Sequence, residues 1–377
     1  MLKAVIFDID GVIIDRESLP KEDTQKTRMQ QIRLVPGVIS FIKMLHKDGI
    51  RIVGISSISS KQIEEITHFL GLTPYFASII SDTKLINLKP VPDIFFKTLQ
   101  VLSLHTNEVI LITDSQNGCL AAKMAKIACV GYMHPNSDTQ DIYSAALAID
   151  SFESIDTPYL NEVCLRANGE AVTIAKTRRL LLKELTSNDS TTFLQLFQDK
   201  DVSYYMNFIT NDLDIEIEKL NAYFQDIYSF YGYGLWGIFL KEENLLIGCC
   251  GIQNQVIDGN QEFELSYMLG KSYWGKGYAL EACRSVLRIA TSRFEINRLV
   301  SIIDIKNERS IHLALKLGMT AERNITFRTR SCYLYSLQLN KNRFLEARNQ
   351  VRKDYMSSPD TSVYSRRFSH RTNDFHS

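Results

Sequence analysis

The chain has 377 residues, 45% of them hydrophobic and 23% charged, with 43 Lys plus Arg against 43 Asp plus Glu. That composition excludes general disorder, and the charge balance offers no net field for a nucleic acid or a membrane surface. The length favours two domains over one. Seven cysteines, an odd number with no C-x-x-C pair, fit reduced thiols, so neither disulfides nor zinc are expected. The amino terminus lacks a basic region followed by an apolar run and a cleavage site, and no apolar stretch reaches membrane-spanning length, so a cytoplasmic location is expected.

From residue 2 to about 149, short β-rich runs (KAVIF, IRIVGI, FASIIS, EVILIT, IACVGY) alternate with amphipathic stretches such as KQIEEITHFLGL. Strand-helix-strand repetition predicts a parallel sheet covered on both faces, with an active site at the carboxyl ends of its strands. The rhythm is lost between about 151 and 176, which sets a first domain at 1–155 and a linker at 156–177. A second α/β domain is expected over 178–340, with strands GLWGIFL, NLLIGCCGI, EFELSYML, RLVSIIDI and CYLYSLQL and helices near 214–228, 280–293 and 310–317. Residues 341–377, polar and Arg-rich, are expected to form a helical extension and a mobile tail.

The first strand ends in Asp8-x-Asp10, and its period of two places both carboxylates on the same side at the mouth of the sheet. By themselves such residues are as well explained as turn or capping groups. FDIDGV, then Ser56 in GISSIS, Lys89 in LKPVPDIF and Asp114 in ILITDSQNG follow the order of the four motifs of the haloacid dehalogenase (HAD) superfamily, subfamily I, which this region resembles over the whole first domain. The resemblance implies a Rossmann-like sheet and Mg²⁺-dependent hydrolysis of a phosphorylated small molecule. Asp8 would be the nucleophile, and Asp10 would protonate the leaving group and then activate water. Asp8, Asp114 and the Asp10 main-chain carbonyl would hold Mg²⁺, and Ser56 and Lys89 would bind the phosphoryl group. For Ser56, flanked by Ser57, Ser59 and Ser60, capping of the following helix stays open.

Two departures from that family stand out. Thr113 replaces one of the two acidic residues usual at the fourth motif, which removes an outer carboxylate. The interval from Asp15 to Arg33 is too short for the helical cap that relatives insert there. An open site, a site covered by another domain or subunit, a large substrate and loss of efficient catalysis all remain consistent with that length.

In the second domain, ELSYMLGKSYWGKGYALEA reads as strand, Gly-containing loop and helix, a pattern suited to an anion at the helix start. Together with NERSIHLALKLGM downstream, it closely resembles the GNAT acyltransferase superfamily, in the branch of ribosomal-protein N-acetyltransferases, with a mixed, splayed sheet. The resemblance implies acetyl-CoA held by Trp274, Gly275, Lys276, Gly277, Tyr278, Ala279 and Leu280, with Asn307 also touching the cofactor. Glu264 would be the general base for a primary amine, either a small molecule or a protein terminus. Many relatives carry a tyrosine acid where this chain has Leu315, so Ser310 or solvent would protonate the thiolate, with His312 a weaker candidate. Tyr273 and Trp274 are expected to pack beside the loop. For Glu264 a solvated strand residue, and for Asn307 and Ser310 a helix cap, are the competing readings. A fusion of this order also allows acyl loading onto a carrier protein, or a first domain that senses a phospho-ligand.

Overall fold

The computed structural model describes residues 1–18, 29–81, 92–134, 142–153, 155–205 and 213–339. Lys89, most of the 15–33 interval and the 341–377 tail lie outside them. The chain divides into two compact units. The first holds Met1–Val172, Glu184–Ser190 and Ile217–Gly232, and the second holds Thr173–Lys183, Thr191–Glu216 and residues from Tyr233 onward.

In the first unit six strands, β1 Ala4–Asp8, β2 Arg51–Ser56, β3 Phe76–Ser81, β4 Val109–Thr113, β5 Ala128–Tyr132 and β6 Leu147–Ile149, form a parallel sheet in the order β3-β2-β1-β4-β5-β6. Its helices are α1 Val38–Lys47, α2 Ser60–Phe69, α3 Asp93–Leu102, α4 Gln116–Ala125 and α5 Thr157–Ala167. Alternation along β1 sends Val5 and Phe7 into the core under α1, α2 and α5, and Ala4 and Ile6 into the core under α3 and α4. Burial on both faces explains why the central strands are apolar almost throughout. The last residues of β1 to β4, Asp8, Ser56, Ser81 and Thr113, therefore emerge on one edge, where loops carry the polar groups.

The segment 156–177, expected to be a linker, instead contains α5. Asp156 caps it by accepting a hydrogen bond from the Tyr159 N–H at 2.8 Å, Pro158 sits in its first turn, and Leu160, Val163 and Cys164 are buried in the first core. Leu160, Val163 and Cys164 lie three and four residues apart, which turns one apolar stripe onto the sheet and makes the segment part of the domain.

The second unit carries an eight-stranded sheet in the order β13-β14-β12-β11-β10-β9-β8-β7, from β7 Thr173–Lys176, β8 Leu180–Lys183, β9 Leu235–Leu240, β10 Leu245–Ile257, β11 Asn260–Leu269, β12 Arg298–Asp304, β13 Thr320–Phe327 and β14 Arg330–Gln338. Neighbours are antiparallel except β11 and β12, which run parallel and register at a single pair, Glu264 with Val300. By contrast, β12 pairs with β14 over all seven of its residues, from Arg298 to Asp304. The sheet is thus mixed and splayed at its middle. Helices α6 Ser190–Leu196, α7 Lys200–Ser203, α8 Leu213–Tyr231, α9 Tyr278–Ser292 and α10 Glu308–Leu317 complete this region, and α8 from Ile217 on groups with the first unit. Helices α9 and α10 start two residues before the expected 280 and 310, because Gly277 and Asn307 are their N-caps. All seven cysteines are buried thiols.

Candidate active sites

At the carboxyl edge of the parallel sheet, Asp8, Asp10, Ser56, Thr113 and Asp114 converge. Gly11, with φ +100°, makes the turn after β1. A Cβ on Gly11 would stand 2.1 Å from Asp114 Oδ2, so only glycine lets the two loops meet. Asp10 is buried, and its carboxylate accepts hydrogen bonds from Ser56 Oγ at 2.8 Å, Ser57 N–H at 2.8 Å and Ser57 Oγ at 2.6 Å. Ser56 Oγ in turn accepts from the Ile58 N–H at 3.1 Å. The Ser56 hydroxyl is therefore committed to orienting Asp10. Capping is not its role, since Ser59 precedes α2 and its own hydroxyl donates to Gln62 Oε1 at 2.7 Å.

Thr113 donates to Asp8 Oδ2 at 3.1 Å. Where an acidic residue would add negative charge, the hydroxyl steadies the carboxylate. Burial pushes the Asp8 pKa well above the usual range, with the charges of Asp114 and Asp10 adding to the rise and Arg16 and Thr113 opposing it. Among the described residues Arg16 brings a cation to this cluster. Its Nη2 donates to Asp114 Oδ1 at 2.7 Å and to the Asp10 main-chain oxygen at 2.9 Å, and its Nε donates to Asp114 Oδ2 at 3.3 Å. His134 Nε2 lies 3.3 Å from Asp114 Oδ2. The signal for Arg16 was weak: one basic residue in a polar stretch, without a motif.

Among the described residues no group of three His, Cys, Asp or Glu side chains is arranged to hold a metal. The expected Mg²⁺ set is of another kind, two carboxylates and a main-chain carbonyl. Its all-oxygen chemistry fits a hard cation, and the crowding of Asp8 against Asp114 calls for positive charge. Two of those three donors, Asp114 and the Asp10 carbonyl, already accept from Arg16. The ends of the short interval after β1 are pinned together: Asp15 N–H donates to Arg33 O at 2.9 Å, and Arg33 N–H donates to Ser18 Oγ at 3.0 Å.

In the second unit Glu264 stands at the one register point of β11 and β12, where the strands begin to part. It is half-buried. Burial raises its pKa, against hydrogen bonds from Gln255, Ser266 and the Ile302 main chain and the charge of Arg328. The strand leads to Gly275 and Gly277, whose φ values are +73° and +77°. A Cβ on Gly275 would meet nothing within 4 Å, so the loop's backbone faces open space there. Gly277 is the N-cap of α9 and supplies no side-chain acceptor to the N–H groups of Tyr278, Ala279 and Leu280 at the positive end of this 15-residue helix. This is a cradle suited to a pyrophosphate.

A brace missed by the sequence reading holds that loop. Glu281 accepts from Thr177 Oγ1 at 2.7 Å, Arg179 N–H at 2.9 Å and Arg179 Nε at 2.7 Å, while Arg179 Nη1 donates to the Lys276 carbonyl at 2.9 Å. Trp274 packs as expected: its Nε1 donates to Leu269 O at 2.8 Å, and the Arg309 guanidinium lies 4.3 Å from its ring centroid. Asn307 caps α10 by accepting from the Ser310 N–H at 3.2 Å, and Ser310 O accepts from the Tyr267 hydroxyl at 3.2 Å. Leu315 and His312 are exposed.

The family model for the GNAT acetyltransferase domain matches residues 179–320, and that for haloacid dehalogenase-like hydrolases matches residues 20–132, a span that starts after Asp8 and Asp10. The uncharacterized protein YkkB of Bacillus subtilis is 32% identical over 150 residues, 40% of this chain and 86% of that one. The uncharacterized N-acetyltransferase p20 of Bacillus licheniformis is 30% identical over 147 residues, 39% of this chain and 82% of that one. A phosphoglycolate phosphatase of Pseudomonas fluorescens is 28% identical over 124 residues, 32% of this chain and 45% of that one, so this chain spans less than half of the phosphatase. Among the described residues no helix is long and apolar enough to cross a membrane. Over its second part the chain belongs to the GNAT acetyltransferase family, and with the hydrolase match in its first part it is a fusion of a HAD-like hydrolase domain and a GNAT acetyltransferase domain.

Proposed function

We propose that the second domain transfers an acetyl group from acetyl-CoA to a primary amine, and that the first domain hydrolyses a small phosphate monoester with Mg²⁺. The observation that carries the first claim is the splay of β11 from β12 at Glu264, beside a glycine loop whose amides open α9. Acetyl-CoA brings an activated thioester. The Tyr278, Ala279 and Leu280 amides bind its pyrophosphate, with Trp274, Gly275, Lys276, Gly277 and Asn307 shaping the cradle. The Glu264 carboxylate takes a proton from the attacking amine as the new N–C bond forms. Its raised pKa makes it a better proton acceptor at neutral pH. The thiolate set free takes a proton from the Ser310 hydroxyl or solvent.

In the first domain Asp8, Asp114 and the Asp10 carbonyl would hold Mg²⁺, which would supply positive charge to offset that of the phosphoryl group. Asp8 attacks phosphorus; Asp10, held by Ser56 and Ser57, passes a proton taken up from solvent to the leaving oxygen, and the carboxylate left behind then activates water. Lys89 lies outside the described residues, and its phosphoryl-binding role rests on the family motif. The likeness to a phosphoglycolate phosphatase supports a small anionic monoester as substrate. A second reading, a phospho-ligand sensor, is favoured by one observation, the engagement of Arg16 with two of the three Mg²⁺ donors. Nothing comparable favours a carrier protein.

Two assays test these claims. Acetyl-CoA should raise the Tm of the full chain, and an amine screen read by thiol release should identify an acceptor; no shift with acetyl-CoA overturns the transferase assignment. An aryl phosphate with Mg²⁺ should turn over and lose that turnover in Asp8→Asn; absence of turnover across varied monoesters favours the sensor.

A further inference from the structure

The hydrolase pocket contains a cation of its own. Arg16 follows the β1 loop by a few residues and sits in a single 3₁₀ turn, Arg16–Ser18. One guanidinium spans Asp114 Oδ1 at 2.7 Å, Asp114 Oδ2 at 3.3 Å and the Asp10 carbonyl at 2.9 Å, a fork geometry that a lysine cannot reproduce. Asp114 is buried, with 6% of its side chain exposed, whereas the Arg16 side chain is 57% exposed. The carboxylate is thus fixed and the arginine reaches it from the solvent side, able to swing out without disturbing the core.

We propose that Arg16 is a tethered competitor for the divalent cation of this pocket: Mg²⁺ enters only as the guanidinium leaves Asp114 and the Asp10 carbonyl. This rests on the HAD-like reading of the site. Three features of this chain converge on it. Thr113 supplies a neutral hydroxyl where a further carboxylate would strengthen the pull on a divalent ion. The guanidinium already stands on two of the three oxygen donors, so it places a positive charge where the cation would sit. The loop that presents Arg16 is pinned at its base by the Arg33–Asp15 ion pair at 2.9 Å and by the Asp15–Arg33 and Ser18–Arg33 hydrogen bonds. The consequence is a site whose cation occupancy depends on the metal concentration and on any anion that draws Arg16 away. A phosphate monoester, itself an arginine ligand, would favour metal entry by pairing with the released guanidinium.

The test is Mn²⁺ affinity of the full chain by electron paramagnetic resonance, which needs no turnover and so is separate from the fate of the phosphatase claim. Arg16→Gln should bind Mn²⁺ about ten-fold or more tightly than the wild type, the release expected when a charge-assisted fork no longer competes. Arg16→Lys, which keeps the charge and guards against a folding defect, should fall between the two. Adding Asp114→Asn to Arg16→Gln should abolish the gain, which places it at this site. Equal or weaker Mn²⁺ binding in both single variants overturns the proposal, and so does a gain that survives Asp114→Asn.

Discussion

Arg179→Met is the sharpest test of the proposed acetyl-CoA cradle, because it alters the loop's support without changing a residue of the loop. Methionine retains much of the aliphatic stem, so packing changes little. What is lost is the 2.7 Å bond to Glu281 and the 2.9 Å bond to the Lys276 carbonyl, together with the cation 4.5 Å from the Tyr278 ring centroid. Hydrogen bonds between charged groups contribute about 1.5–3 kcal/mol each when sheltered. The Arg179 side chain is 34% exposed and Glu281 18%, so solvent screening reduces the pair to about 1–2 kcal/mol. Glu281 keeps the Thr177 hydroxyl and the Arg179 N–H, which limits the damage to the loop. If that energy holds the amides of residues 275–280 in their binding geometry, the Kd for CoA rises about five-fold at the lower end of the range and about thirty-fold at the upper. Titration calorimetry of both proteins with CoA, alongside their Tm values, reads this directly. A variant whose Tm falls but whose CoA affinity stays within about two-fold of the wild type would refute the brace as a determinant of binding.

Three further outcomes follow from particular contacts. Glu264→Gln should lower acetyl-transfer kcat by about 10²–10⁴-fold with CoA affinity unchanged. Because burial raises the Glu264 pKa, the active carboxylate is lost as pH falls through that raised value, and the glutamine variant should lack this acidic limb in its kcat profile. Arg298 and Ser336 hold the Glu322 pKa down to about 2 from an ordinary 4.5, so its stabilising contribution is complete above about 4.5 and lost as pH falls toward 2. Urea midpoints measured across that window should fall more steeply for the wild type than for Glu322→Gln. Gly11→Ala would set a Cβ 2.1 Å from Asp114 at φ +100°, and should cost at least about 2 kcal/mol in denaturant unfolding.

Much of both folds was legible because local periodicity and burial agree. The run AVIFD is apolar since β1 is covered on both faces, and YALEACRSVLRIA carries a buried stripe at helical spacing. Glu264 was singled out by motif order, and it stands at the splay. The stretch TPYLNEVCLRA breaks the strand-helix rhythm and so resembles a linker, although its Asp156 cap, Pro158 and apolar stripe mark a helix that closes the first core. The position of Ser56 at the end of β2 is legible from its motif, whereas the contacts of its hydroxyl with Asp10 and the Ile58 N–H are not.

The sequence by itself determined the parallel sheet, the resemblance of its two parts to two families, and the order of Asp8, Asp10, Ser56 and Asp114 along the chain, since motif order and hydrophobic period are properties of the chain. Only the tertiary structure decided which charges meet. Arg16 lies 98 residues from Asp114 in sequence, and Arg179 lies 102 from Glu281. No local pattern encodes such pairs, because they depend on two loops being brought together by strand order and by a glycine that leaves them room.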